Sequence, residues 1–174
     1  MENSVKNNIF HTQDLCLRTN LICAKGSAEM ENSVKNRNDN VDEGLAGNER
    51  LEEAIAALQM EPSEEMLAHV LTVVRQRMRE GGQFIVAVDP KAGDAGLSIQ
   101  AVKTDDGRMW WSVFTSFDEE LKGSGSVMST FMSGIGQILK TAGEVEGISG
   151  IIINPWNRTL MLDKNLINII LGAK

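Results

Sequence analysis

The sequence predicts an α+β domain, with helices packed on a mostly antiparallel sheet in the order ααβββ(α)αββα. Three observations point there. Apolar residues recur with a helical period through 48–79, the pattern switches to period two from Phe84, and Asp106-Gly107 supplies a hairpin-turn signal between two alternating runs.

The elements follow in chain order. Asn48 reads as an N-cap, and Leu51, Ala54, Ile55 and Leu58 follow at i, i+3, i+4 and i+7. Pro62 interrupts, Ser63 caps a second helix, and Glu64 and Glu65 suit its positive end. Leu67, Val70, Leu71, Val74 and Met78 form that helix's stripe, and Gly81-Gly82 stops it. Together the two helices make an αα-hairpin. Strands are predicted at 84–89, 97–104 and 108–115, with a loop at 90–96. On the third strand Met109, Trp111 and Val113 alternate with Trp110, Ser112 and Phe114. Both faces are partly apolar, so this strand should be central and covered on both sides.

A helical turn is predicted at 117–121, then a Gly/Ser break at 123–126 and a helix from Val127 to Ala142. That helix would turn Met128, Phe131, Ile135, Ile138 and Leu139 inward. Gly134 and Gly136 inside it would cost about 1 kcal/mol each relative to alanine, a loss that close packing on the sheet could offset. Strands at 148–154 and 159–162 flank a turn, and Asp163 caps a last helix.

Residues 1–47 contrast with this. They are rich in Asn, Ser, Lys and Glu, carry no sustained period, and read as a disordered leader before a domain spanning 48–174. The heptapeptide at Met1–Asn7 recurs unchanged at Met30–Asn36, a local duplication that makes Met30 a second candidate start. One such copy is far too short to be a solenoid repeat.

Composition narrows the function classes. The net charge is −7, and acids exceed bases both before and after residue 47. This balance argues against nucleic acid or an anionic membrane as partner. The only cysteines, Cys16 and Cys23, lie in the leader and match neither a redox nor a zinc spacing. No stretch approaches the roughly 20 apolar residues of a membrane span, and no secretory signal is evident, so the expected location is cytoplasmic.

Candidates for chemistry are few. His69, the domain's only histidine, falls off its helix's apolar stripe and should face solvent. That leaves no catalytic constellation, no metal site and no cofactor motif to propose. The glycine- and serine-rich run Lys122–Ser126 lacks the order of a phosphate-binding loop and reads as a connection with Ser126 as a cap. Ser116 and Glu119 have the spacing of a capping box. In Asn154-Pro-Trp-Asn-Arg158, proline fixes the backbone and Asn157 can take the left-handed conformation. Trp156 is unusual at a turn tip: it either folds onto the sheet or forms an exposed anchor with Arg158, a pairing enriched at binding hot spots. Asn154, Trp156, Arg158, Ser116 and Glu119 are therefore the candidate binding residues.

The same segments carry a family resemblance. Gly82-Gln-Phe-Ile-Val86, Phe114-Thr-Ser-Phe117, Ile153-Asn-Pro-Trp156 and Leu160-Met-Leu-Asp163 resemble, in order, the N-terminal domain of the SseB family, named for enhanced serine sensitivity in bacteria. The resemblance covers about 48–172. It implies a bacterial cytoplasmic protein with no established reaction and no catalytic residues to carry over. The expected function is a non-catalytic protein-binding module, its partner an unknown protein or a second copy. The alternative is a small-molecule sensor or enzyme with a cleft near 114–126.

Overall fold

The computed structural model describes residues 42–89, 98–124 and 129–172. Helix α1 (Glu49–Met60) buries the expected Leu51, Ala54, Ile55 and Leu58, and α2 (Glu64–Arg79) buries Leu67, Val70, Leu71 and Val74. Ser63 Oγ accepts from the Met66 amide at 3.2 Å. Acidic residues fill the first turn of α2 and Arg77 and Arg79 its last, each sign complementing the helix dipole. His69 is exposed.

Among the described residues the chain then forms a seven-stranded mixed sheet. Strand β1 (Gln83–Asp89) meets β4 (Met109–Phe114) antiparallel at only two register pairs, Ile85 with Phe114 and Val86 with Val113. Between their diverging ends lie β2 (Ser98–Ile99) on β1 and β3 (Ala101–Lys103) on β4. Gln100 joins the two short strands, donating its amide to Ala87 O and accepting from the Ser112 amide. The predicted 97–104 strand is thus bent and shared between two neighbours. The 90–96 loop lies outside the described residues.

The hairpin between β3 and β4 closes as expected. Gly107 takes the left-handed φ of 83° that this tight loop requires. Asp106 binds the turn from the side: its carboxylate accepts from Thr104 Oγ1 at 2.5 Å, from Arg108 Nε at 2.5 Å and from the Arg108 amide at 3.2 Å. The Thr104 hydrogen bond, with the Arg108 donors, holds this carboxyl down to about 2 from an ordinary 3.8. A depressed folded-state pKa contributes stability above the unfolded value and loses it as pH falls through the folded one. The stability gap between the native chain and Asp106→Asn should therefore stay constant above about pH 5 and close between about pH 4 and 2. Urea titrations of both chains across that range check this; a gap that widens on acidification contradicts it.

Beyond β4 the architecture departs from expectation. Helix α3 (Phe117–Ser124) is followed by strand β5 (Ser129–Gly134), and α4 begins only at Ile135 and runs to Glu144. The predicted helix from Val127 is therefore wrong over 129–134, while Val127 and Met128 lie outside the described residues. Six consecutive residues of β5 pair antiparallel with β1, from Gln83 with Gly134 to Val88 with Ser129. An open edge of β1 offers a complete ladder, while 129–134 holds Thr130 and Phe131, better suited to strand than helix. Phe131, expected inside, is 39% exposed. Gly134 sits at the strand–helix junction, so it carries no mid-helix cost. Gly136 does lie inside α4, where a β-carbon would come within 3.2 Å of Met78 Cγ on α2. There close packing is the reason for glycine. The break at 125–126, with the proposed Ser126 cap, lies outside the described residues.

Strand β6 (Gly150–Ile153) pairs parallel with β4, and β7 (Leu160–Asp163) antiparallel with β6. Parallel neighbours need a long crossover, which residues 115–149 supply. The last helix, α5 (Lys164–Leu171), is capped by Asp163 Oδ1, which accepts from the Leu166 amide at 2.8 Å. One sheet face, with Phe84, Val86, Trp111, Val113, Ile151 and Leu162, shares a core with α1, α2, α4 and α5. On the other face Ile85, Ala87 and Phe114 cluster with Leu45, while Trp110, Ile152 and Met161 cluster with Val102. Both faces of β4 are buried, as its two-sided apolar pattern predicts. The result is an α+β fold. No described helix is long and apolar enough to cross a membrane.

Candidate functional site

Parallel pairing sets the site. Because β4 and β6 run in the same direction, their C-terminal ends reach one rim, and the residues just beyond, Thr115 and Asn154, lie side by side. The Asn154 amide continues the ladder onto Val113 O at 2.9 Å. Its side chain, fully buried, then clasps Thr115: Oδ1 accepts from the Thr115 amide at 3.0 Å, and Nδ2 donates to Thr115 Oγ1 at 2.9 Å. Asn154 O accepts from Thr159 Oγ1 at 2.8 Å, which closes the turn before β7.

Glu52 of α1 joins this rim. One carboxylate oxygen accepts from Thr115 Oγ1 at 2.6 Å and from Ser116 Oγ at 3.2 Å, and the other pairs with Arg158 NH1 at 2.9 Å. A single carboxylate therefore joins α1 to the ends of both strands. Glu119 does similar work on the far side of the turn. It is buried, accepting from Asn157 Nδ2 at 3.0 Å and from Lys122 Nζ at 2.6 Å. Only half of the capping box forms, with the Glu119 amide donating to Ser116 Oγ at 3.4 Å.

The turn adopts a different backbone from that expected. Left-handed residues are Asn154 (φ 50°) and Arg158 (φ 48°), not Asn157. Asparagine suits that region, whereas arginine is uncommon there. Bonds to Thr115 and Glu52 hold both ends of the turn in place. Between them, Pro155 is buried and Trp156 is 41% exposed. Trp156 is thus neither wholly packed nor fully free. Its ring edge lies over Gly123, where an added β-carbon would fall 1.7 Å from Nε1. Glycine at 123 is what lets α3 pass beneath the indole.

Asn48 departs from its expected role as a cap. Its side chain makes no capping bond to α1. Instead Nδ2 donates to Gln83 O and Thr115 O, both at 2.9 Å, and Oδ1 accepts from Arg77 Nε at 3.3 Å. Arg77 also pairs with Glu80 at 2.8 Å. Buried carbonyls at the start of β1 and the end of β4 need partners, and this amide is where they find them. Residues 42–47, counted with the leader, form turns: Gly44 O accepts from the Gln83 amide at 2.8 Å, and Leu45 packs on the sheet. The remaining leader, with both cysteines and both heptapeptides, lies outside the described residues.

These turns, α1 and the first residues of α3 enclose a groove of about 490 Å³. Thr115 and Ser116 form part of one wall, Glu49 and Glu52 part of another. Of the segment 114–126, near which a cleft was expected, residues 115–118 line this groove, and its other described walls come from 42–52; residues 125–126 lie outside the described residues. All five candidate residues fall within this neighbourhood, in two linked networks: Asn154, Ser116 and Arg158 around Thr115 and Glu52, and Glu119 with the turn through Asn157. Glu52, Thr115, Asn48 and Arg77 carry no individual signal of a site in the sequence. Among the described residues no group of three His, Cys, Asp or Glu could hold a metal ion. Comparisons with protein-family models, with curated proteins and with solved structures return no match.

Proposed function

We propose that this chain is a non-catalytic protein-binding module of the SseB type, acting in the bacterial cytoplasm through the Trp156 turn and the groove beside it. The observation that carries this reading is a half-exposed indole on a turn whose two ends are fixed by buried or bridged polar groups. A large aromatic already held in place loses little conformational freedom on docking, so more of its buried area becomes affinity. The polar groups nearby support the same reading. Thr115, Ser116 and Arg158 all bond Glu52, a pattern that fastens elements together and leaves the hydroxyls already engaged.

The test is a pull-down from a bacterial lysate using the native chain and Trp156→Ala, with matched melting temperatures confirming that both are folded. Specific proteins recovered by the native chain should be lost or sharply reduced with the variant. Identical recovery by both chains removes the Trp156 turn as the contact point.

A second reading, a small-molecule sensor or enzyme, draws on the groove itself, whose volume lies within the range of ligand pockets. Under that reading a metabolite panel would raise the melting temperature reproducibly for at least one compound. Loss of that rise in Ser116→Ala would place the compound in the groove.

A further inference from the structure

We infer that the groove between α1 and the start of α3 receives a basic segment of a partner protein, in which an apolar residue is flanked by lysine or arginine. The inference rests on the binding-module reading and specifies the chemistry of the partner. The groove is apolar in part, with Leu45 and Phe117 among its walls, and Phe117 is 46% exposed. Asp42, Glu49, Glu52 and Asp118 place four carboxylates along the same walls, and among the described residues no lysine, arginine or histidine lines them. Three cations of the neighbouring networks are engaged: Arg158 pairs with Glu52, Lys122 with Glu119, and Arg77, behind Asn48, with Glu80. The pairing of Arg158 offsets one of the four negative charges.

A concave wall of one sign concentrates its field and raises the local concentration of opposite charge. An acidic segment, a phosphate or a nucleic acid is excluded by sign. A neutral apolar segment would bury Asp42, Glu49 and Asp118, which have no ion pair among the described residues, without a countercharge, which is costly. A basic segment answers both parts of the surface, its cations meeting the carboxylates and its apolar residue meeting Phe117. Extent decides between a segment and a small amine. On α3, Leu121 follows Phe117 by one helical turn and is 48% exposed, so the apolar surface continues beyond the groove. A compact ammonium ion has no use for that continuation; an extended chain covers it.

The experiment measures fluorescence anisotropy of a labelled synthetic peptide in which leucine alternates with lysine, added to the full chain. Glu49→Gln combined with Asp118→Asn removes two exposed groove charges. Asp105→Asn combined with Glu146→Gln removes two exposed charges near the opposite end of β4. The groove pair should weaken binding roughly tenfold and flatten its salt dependence, while the distant pair changes it less than about twofold. Phe117→Ala should weaken binding with the salt dependence unchanged. Equal weakening by both charge pairs would mean the peptide responds to net charge alone, and would overturn the inference. So would equally tight binding of a peptide with glutamate in place of lysine, or no binding of the lysine peptide at low salt. In each of those cases, loss of partner proteins by Trp156→Ala in the pull-down would leave the binding-module reading standing.

Discussion

Gly150→Ala is expected to destabilise the fold by more than about 3 kcal/mol, the upper range for forcing extra atoms into a packed interior. Gly150 opens β6 and pairs with Trp110 on one side and Asp163 on the other. It adopts φ 155°, and a β-carbon there would stand 2.0 Å from Leu162 O and 2.9 Å from Asp163 Cα. Both obstacles are backbone, so no side-chain rotation relieves them. Either β7 moves away, breaking the β6–β7 ladder and the Asp163 cap of α5, or Gly150 changes conformation and loses its place beside Trp110. Domains of this size have total stabilities of about 5–15 kcal/mol, so the loss should show as a large fall in the urea midpoint or in soluble yield. Gly147→Ala is the useful comparison. Its φ of 80° also disfavours alanine, yet nothing lies within 4 Å of the added atom. It should be clearly milder, at about 1 kcal/mol. Equal effects at the two positions would show that backbone conformation, rather than the close approach of β7, accounts for the loss at Gly150.

How much of this was readable in the sequence depended on whether one force acted alone. In α1 and α2 the apolar stripe, the Ser63 cap and the Gly81 stop agree, and the helices lie where the pattern put them. The two-sided apolar pattern of β4 likewise has one explanation, burial on both faces. Segment 129–134 is different. Its apolar residues fit a helical stripe as well as they fit a strand, and the deciding factor is the open edge of β1, more than forty residues earlier in the chain. Local periodicity cannot report a partner that distant. Asn48 shows the same ambiguity on a smaller scale: an asparagine before a helix can cap it or reach elsewhere. The unsatisfied carbonyls of Gln83 and Thr115 draw it away. Trp156 and Arg158 were legible because an indole and a guanidinium on a turn need explaining. Glu52 was not, since a glutamate on a helix flank is ordinary until the strands bring Thr115 and Arg158 to meet it. A site built from strand ends across a sheet is visible residue by residue only where one of its members is out of place.

Asn154→Ala is expected to cost about 3 kcal/mol and to loosen the candidate binding surface along with the fold. Two contributions add. The buried Thr115 amide loses its acceptor, a desolvation penalty of about 1–3 kcal/mol. Alanine must also hold the left-handed φ of 50°, at roughly 1 kcal/mol. Asn154→Gly separates them: glycine has no β-carbon to clash at that φ, so it should lose less than alanine while leaving Thr115 equally unsatisfied. Asn154→Asp tests the other half of the clasp, since it keeps an acceptor for the Thr115 amide but gives up the donor to Thr115 Oγ1 and brings a second carboxylate toward Glu52. Urea unfolding ranks the three variants. Hydrogen exchange at the Thr115 amide then locates the effect, with protection falling first in the alanine and glycine chains. If alanine cost less than about 1 kcal/mol, the turn would be held mainly by Arg158 on Glu52, and that pair would be the one fixing Trp156.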